Sequence, residues 1–267
     1  QPPAAVIPPA STTATSARPV PRCTRSDCVD REPFLARFNQ FYRSKHRRDL
    51  NRWQIDALTA LVNVWDTTPA LAGKERLAYI LGTVFHESTG LLYPTRECSC
   101  RTNAGAIACS KRLYDSGRAG IRYYLRDGET GHAYYGRGQT QLTLKDNFIR
   151  VGRELGVGDR LKWNPDAALT LDVSARNAVY GLYYGWYRGG RSLKDNAFDS
   201  PDDWVRARDV LISKGVAANI VADHGRAILA TLTFIPLEAF RARYASTEVA
   251  AVPAPVAQPA APAPPVP

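Results

Sequence analysis

Proline is the strongest punctuation in this chain, because it fixes φ and removes a backbone donor from any helix or sheet interior. Of the 19 prolines, six fall in residues 1–22 and seven in 253–267, leaving six for everything between. A packed core therefore belongs to the proline-poor middle, and the sequence predicts one folded unit over residues 23–245. Residues 1–22 and 246–267 are expected to be disordered tails. Both are rich in Ala, Pro, Val and Thr with almost no charge, and bury too little apolar area to offset chain entropy. The chain is 45% hydrophobic and 22% charged with a mean hydropathy of −0.30, a globular composition. No run approaches the roughly 18 to 20 apolar residues of a membrane helix, so membrane insertion is not expected.

The chain begins at Gln1 and has no methionine, which fits a signal peptide already removed and a secreted or periplasmic location. Cys23 and Cys28, then Cys98, Cys100 and Cys109, stand at local spacings that suit disulfides better than zinc, since no two-residue knuckle or nearby histidine accompanies them. The pairing stays open, and five cysteines leave one thiol over. A net charge of +10 survives almost intact when the tails are set aside, which implies an anionic partner or a merely basic solvated surface. No nucleic-acid motif accompanies the scattered cations, so no nucleic acid is expected; nor is a metal or other cofactor. A monomer is anticipated.

Between the tails the periodicity is helical. Phe34, Phe38, Phe41 and Tyr42 form an apolar stripe with Asp30 as candidate N-cap. Leu58, Leu61, Val62 and Trp65 repeat the pattern before Pro69. The most regular stripe is Leu77, Ile80, Leu81, Val84 and Phe85, and Ala175, Ala178, Val179, Leu182, Tyr183 and Trp186 give another. Further helices are expected over 143–155, 201–212 and 218–232. Residues 98–138 lack a period and read as an irregular lobe with a small hairpin turning at Asp127-Gly128. The fold class is mainly α.

The Leu77–Phe85 stripe runs into His86-Glu87-Ser88-Thr89-Gly90, with Gly90 as helix stop. At 100° per residue, Glu87 falls at the border of the stripe and His86 almost opposite it. Partial burial and the negative end of the helix dipole both favour a protonated carboxyl at Glu87, as a general acid requires. The alternative is a solvated glutamate at a frayed end. A second segment, Tyr134-Tyr135-Gly136-Arg137-Gly138-Gln139-Thr140-Gln141-Leu142-Thr143 with Asn147, sets amides, hydroxyls and tyrosines around two glycines, groups suited to sugar hydroxyls and N-acetyl groups. His224, among Ile220, Val221 and Ile228, reads as a core histidine, and Trp186 as core before sugar platform. No H-E-x-x-H pair or nucleophile elbow is present.

Taken together, the His86–Gly90 and Tyr135–Asn147 segments, with Asn164-Pro165-Asp166-Ala167-Ala168-Leu169 and Tyr184-Gly185-Trp186-Tyr187-Arg188-Gly189, resemble glycoside hydrolase family 19, which holds chitinases and related phage endolysins. The resemblance spans roughly residues 50–232. It implies a lysozyme-like two-lobed helical domain with a cleft, cleaving β-1,4 links between N-acetylated amino sugars with inversion. It places Glu87 as general acid and Thr89, Tyr135, Arg137, Gln141, Thr143 and Asn147 as substrate-binding positions. Plant members carry the base some two dozen residues after the acid, where this chain has Cys109–Arg112 and no carboxylate. The Pro-x-[KR]-Glu element of the phage-like branch matches Pro94-Thr95-Arg96-Glu97, which makes Glu97 the expected base, ahead of Glu129 and Asp115. The family's A-R-x-x-[IV]-N-G element appears as Ala207-Arg208 to Gly215 without its asparagine. The expected substrate is bacterial peptidoglycan, with chitin second and a non-catalytic wall-binding protein as the rival.

Overall fold

The computed structural model describes residues 19–187, 191–210 and 217–248. The tail segments 1–18 and 249–267 therefore lie outside the described residues, as do Arg188 and Gly189 of the last motif and 211–215 of the Ala207–Gly215 element. Within the described part there are ten α-helices, with a long irregular stretch between Asp115 and Lys145, and the named strands form two small sheets. The mainly α expectation holds.

Helix α1 (Arg31–His46) buries Phe34, Phe38 and Tyr42 as its stripe predicts. Asp30 occupies the N-cap position without capping. Its carboxylate instead accepts from the Tyr244 hydroxyl at 3.0 Å and from Arg243, tying the helix start to the last described helix. Helix α2 (Arg52–Asp66) opens with a reciprocal capping box between Asn51 and Gln54 and ends three residues before Pro69. Helix α3 (Lys74–Glu87) is central: all nine residues from Leu77 to Phe85 are buried. His86, expected on the far side from the apolar stripe, is half-buried rather than solvated. The cause is α9 (Ala218–Leu229), which covers that side; a Cβ on Gly82 would lie 2.8 Å from Gly225 N.

Residues 98–138 contain an unpredicted helix, α4 (Asn103–Asp115), capped by the Thr102 hydroxyl. Its buried face is Ala106, Cys109 and Ser110, residues too small to register as an apolar period. The expected hairpin is reduced to a turn: Asp127 N–H donates to His132 O at 2.9 Å, and one bridge joins Arg126 to Ala133. The two-residue strands β2 (Thr95–Arg96) and β3 (Arg137–Gly138) pair antiparallel and attach this lobe to the segment after α3. Helices α5 (Lys145–Glu154), α6 (Arg160–Trp163) and α7 (Leu171–Tyr184) follow, and α7 ends at Gly185 with φ +76°. The helix expected over 201–212 is α8 (Pro201–Arg206) and a 3-10 turn over Ala207–Val210.

Two cores result. The larger gathers α1, α2, α3, α7, α8 and α9, and the smaller joins Tyr134, Leu142, Phe148, Val151, Leu161 and Trp186. Trp186 is thus core. A third cluster clasps the two ends of the described chain. Strand β1 (Asp27–Val29) pairs antiparallel with β4 (Phe234–Pro236), with α10 (Leu237–Glu248) packed behind. Val20 and Arg22, assigned to a tail from composition, are held here: Asn63 donates to Val20 O at 2.7 Å and accepts from Arg22 N–H at 2.9 Å. Buried Arg31 binds Asp66 at 2.7 Å, and Asp66 also accepts from Val29 N–H at 3.0 Å. The disulfides are Cys23–Cys28 and Cys98–Cys109, and Cys100 is the free thiol.

Candidate active site

Glu87 ends α3, a rigid element of the larger core, and its side chain is 19% exposed. Arg208, in the 3-10 turn after α8, donates to Glu87 Oε1 at 2.6 Å. The contact joins the end of α3 to the turn that follows α8. Arg208 belongs to the Ala207-Arg208 pair of the last motif element, which is its one signal in the sequence. On the other flank His86 is held below the usual histidine range, first by burial and further by Arg208, with Glu87 pulling the other way.

Glu97 comes from the opposite lobe, at the end of β2. It is latched to the glycine turn in both directions: its N–H donates to Gly136 O at 2.8 Å, and Gly136 N–H donates to its Oε2 at 3.1 Å. Burial pushes the Glu97 carboxyl up, the Gly136 N–H pulls it down, and the Glu87 charge pushes it up again. The two carboxylates therefore lie within electrostatic reach of each other, one from each lobe. Among the described residues Glu97 makes no ion pair, so neither Arg96 nor Arg101 neutralises it; Arg96 instead binds Asp166 at 2.8 Å. The rivals are engaged elsewhere. Glu129 is bound by Lys145 and Lys162, both at 2.6 Å, and Asp115 by Lys111 at 2.5 Å.

Gln141 meets Glu97 over Gly136, where a Cβ would lie 2.6 Å from both Gln141 Oε1 and Glu97 Oε2. The Gln141 amide nitrogen is committed to Gly138 O at 2.9 Å and Thr95 O at 3.2 Å, which fixes the orientation of its oxygen. Thr89 is exposed two residues after Glu87, with its hydroxyl on Ser88 O at 2.7 Å. Thr143 and Asn147 are half-buried at the start of α5, joined by an Asn147 Nδ2 to Thr143 O bond of 2.9 Å.

Two expected substrate-binding residues, Arg137 and Tyr135, are buried and engaged within the protein. Arg137 is 2% exposed, its guanidinium 3.7 Å from the Tyr135 ring centroid and bonded to Asp166, Ala133 O and Tyr135 O. Tyr135 is fully buried and donates to Asn103. Asp166, bound by Arg96, Asn103 and Arg137, is the hub that holds this lobe together. The Arg137 guanidinium thus gathers two carbonyls of the segment leading into the Gly-Arg-Gly turn, those of Ala133 and Tyr135.

His224 packs on Phe85 and Phe41, and its ring lies 6.1 Å from that of His86. The expectation of a satisfied core histidine is half met, since its Nδ1 is buried without a partner.

The class this defines is a two-lobed, mainly α protein with one carboxylate contributed by each lobe. In sequence, the chain is 32% identical over 110 residues to the acidic 26 kDa endochitinase of Solanum lycopersicum, covering 41% of this chain and 35% of the relative. It is 40% identical over 58 residues to the acidic endochitinase pcht28 of Solanum chilense, covering 21% and 23%. The chain thus spans about a third or less of the length of these relatives. Among solved structures, chitinase C from Streptomyces griseus HUT6037 aligns over 73% of this chain and 76% of its own at 22% identity with a TM-score of 0.45. A bacterial family 19 chitinase aligns over 73% and 93% at 18% identity and 0.34. No family model matches the chain. The chain is similar to endochitinases, in agreement with the family 19 resemblance of its motifs.

Proposed function

We propose that the chain is an inverting endo-glycosidase that hydrolyses β-1,4 links between N-acetylated amino sugars. The observation that carries this reading is the placement of Glu87 and Glu97 on opposite lobes with mutual electrostatic influence and different surroundings. Glu87 protonates the leaving oxygen. Its contact with Arg208 holds the carboxyl in one orientation and stabilises the negative charge left when the proton is given up. Glu97 takes a proton from the attacking water, and burial favours that, because a carboxylate with raised proton affinity is the stronger base. The Gln141 oxygen beside Glu97 holds the same water, a role supported by the meeting of the two side chains over Gly136. Inversion requires the carboxyls to stand about 6.5 to 9.5 Å apart with that water between them.

The polymer is one of N-acetylglucosamine, as in chitin or peptidoglycan. The relatives named endochitinases favour chitin, while the +10 charge favours the anionic bacterial wall. Two disulfides support a secreted protein. Glu87→Gln and Glu97→Gln should each lower turnover on chitin oligomers or purified peptidoglycan by at least about a thousandfold with unchanged circular dichroism, in line with the loss of an essential acid or base. The proton NMR spectrum of fresh product should show the α anomer. Wild-type turnover in either variant, or anhydro sugar ends among the products, would overturn the mechanism. The same digests, compared between substrates, decide the polymer.

A further inference from the structure

The segment after α4 has a composition that the proposed hydrolysis does not use. Ile121 and Leu125 are 47% and 54% exposed, and they stand among Arg118, Arg122 and Arg126, all exposed, with Lys111 and Arg112 exposed at the end of α4. The sole acid between 111 and 126 is Asp115, tied to Lys111 at 2.5 Å. The segment is therefore strongly cationic and carries two exposed aliphatic side chains between its arginines.

It is also a built surface. Arg118 and Ala119 N–H both return to Leu113 O, at 2.9 and 3.0 Å, fixing the exit from α4. A turn closes between Leu125 N–H and Arg122 O at 3.0 Å. Underneath, the Tyr114 and Tyr124 rings lie 5.8 Å apart, with Arg122 5.1 Å over Tyr114 and Lys111 5.9 Å over Tyr124.

We propose that this tip is a docking surface for an anionic lipid bilayer. Arginines at 112, 118, 122 and 126 meet the phosphate headgroups, while Ile121 and Leu125 enter the boundary between headgroups and acyl chains. Charge alone would serve any polyanion, but a soluble polyanion offers nothing to exposed isoleucine and leucine, whereas the bilayer interface rewards both. Tyr123, on the same segment, packs on the cluster of Ala106, Ala133 and Tyr135, next to the Gly136 turn that holds Glu97, so the surface adjoins the Glu97 side of the site. Docking there would hold that side against the membrane.

The full chain is tested by co-sedimentation with vesicles of phosphatidylglycerol and phosphatidylethanolamine, with phosphatidylcholine vesicles and soluble polyphosphate as comparisons. Arg112→Glu/Arg118→Glu and Ile121→Ser/Leu125→Ser lie at exposed positions, and circular dichroism with thermal melting checks their folding. The expected result is binding to phosphatidylglycerol but not to phosphatidylcholine alone. The arginine variant should weaken it about 25-fold or more, and the aliphatic variant about tenfold. Polyphosphate binding should fall in the arginine variant only. Absence of vesicle binding, or wild-type vesicle binding by the Ile121/Leu125 variant, would overturn the proposal; the second result would leave a polyanion patch.

Discussion

Gly136 illustrates how little room the site leaves its residues. A methyl group there would fall 2.6 Å from one oxygen each of Glu97 and Gln141, yet both are ends of flexible side chains and no backbone atom obstructs it. Gly136→Ala should therefore fold normally while turning both side chains aside. Since an ångström of misplacement can cost about a hundredfold, turnover on chitin oligomers should drop by about that factor with little change in Tm. A Tm loss matching the activity loss would point to the turn rather than to the carboxylate. At this scale Glu87 and Glu97 stand out in the sequence as candidates through their motifs, whereas the Arg208 contact with Glu87 and the inward contacts of Arg137 do not. Whether an arginine points to solvent or into a turn depends on which carbonyls surround it, and those of Ala133 and Tyr135 converge only in three dimensions.

Among the elements, helices with large apolar side chains could be read from their period, as α1, α3 and α7 were. Helix α4 could not, because its buried face is alanine, cysteine and serine, held by tertiary contacts and the Cys98–Cys109 bond rather than by an apolar stripe. The clasp formed by β1, β4 and α10 was equally hidden, since three-residue strands carry no usable alternation. Its anchor is the Arg31–Asp66 pair at 2.7 Å, with both side chains buried. Replacing one member of such a pair strands the other charge, so Arg31→Met should destabilise the protein by about 3 to 5 kcal/mol in urea unfolding. Arg31→Met/Asp66→Leu should recover most of that loss. A single variant within 1 kcal/mol of wild type, roughly the worth of an exposed pair, would show that the pair does not anchor the clasp.

For the molecule as a whole, acid should be the sensitive direction. His46, His86 and His224 gather around Phe85, and burial is the first cause holding each below its ordinary value, with His224 lowered to about 4. The charges facing His224 are His86, Lys45 and His46, which lower it further, and Asp223, which opposes them. An unfolded histidine takes a proton near 6.5, so below that pH the unfolded chain binds protons that the folded one refuses. The stabilising contribution is complete above about 6.5 and is lost as pH falls toward 4. Thermal melting across that window should show Tm falling with pH, and His224→Phe should flatten the fall. An unchanged slope in the variant would remove His224 from the account.

The clasp has a mechanical side as well. Because β1 and β4 run antiparallel with Asp27 opposite Pro236, the outer ends of both strands lie at the same edge of the ladder. Tension applied through them opens the pairs one after another, as a zipper, instead of loading all three together. Helix α3, which bears Glu87, is no part of this ladder, so its three pairs can part without breaking a backbone pair of that helix.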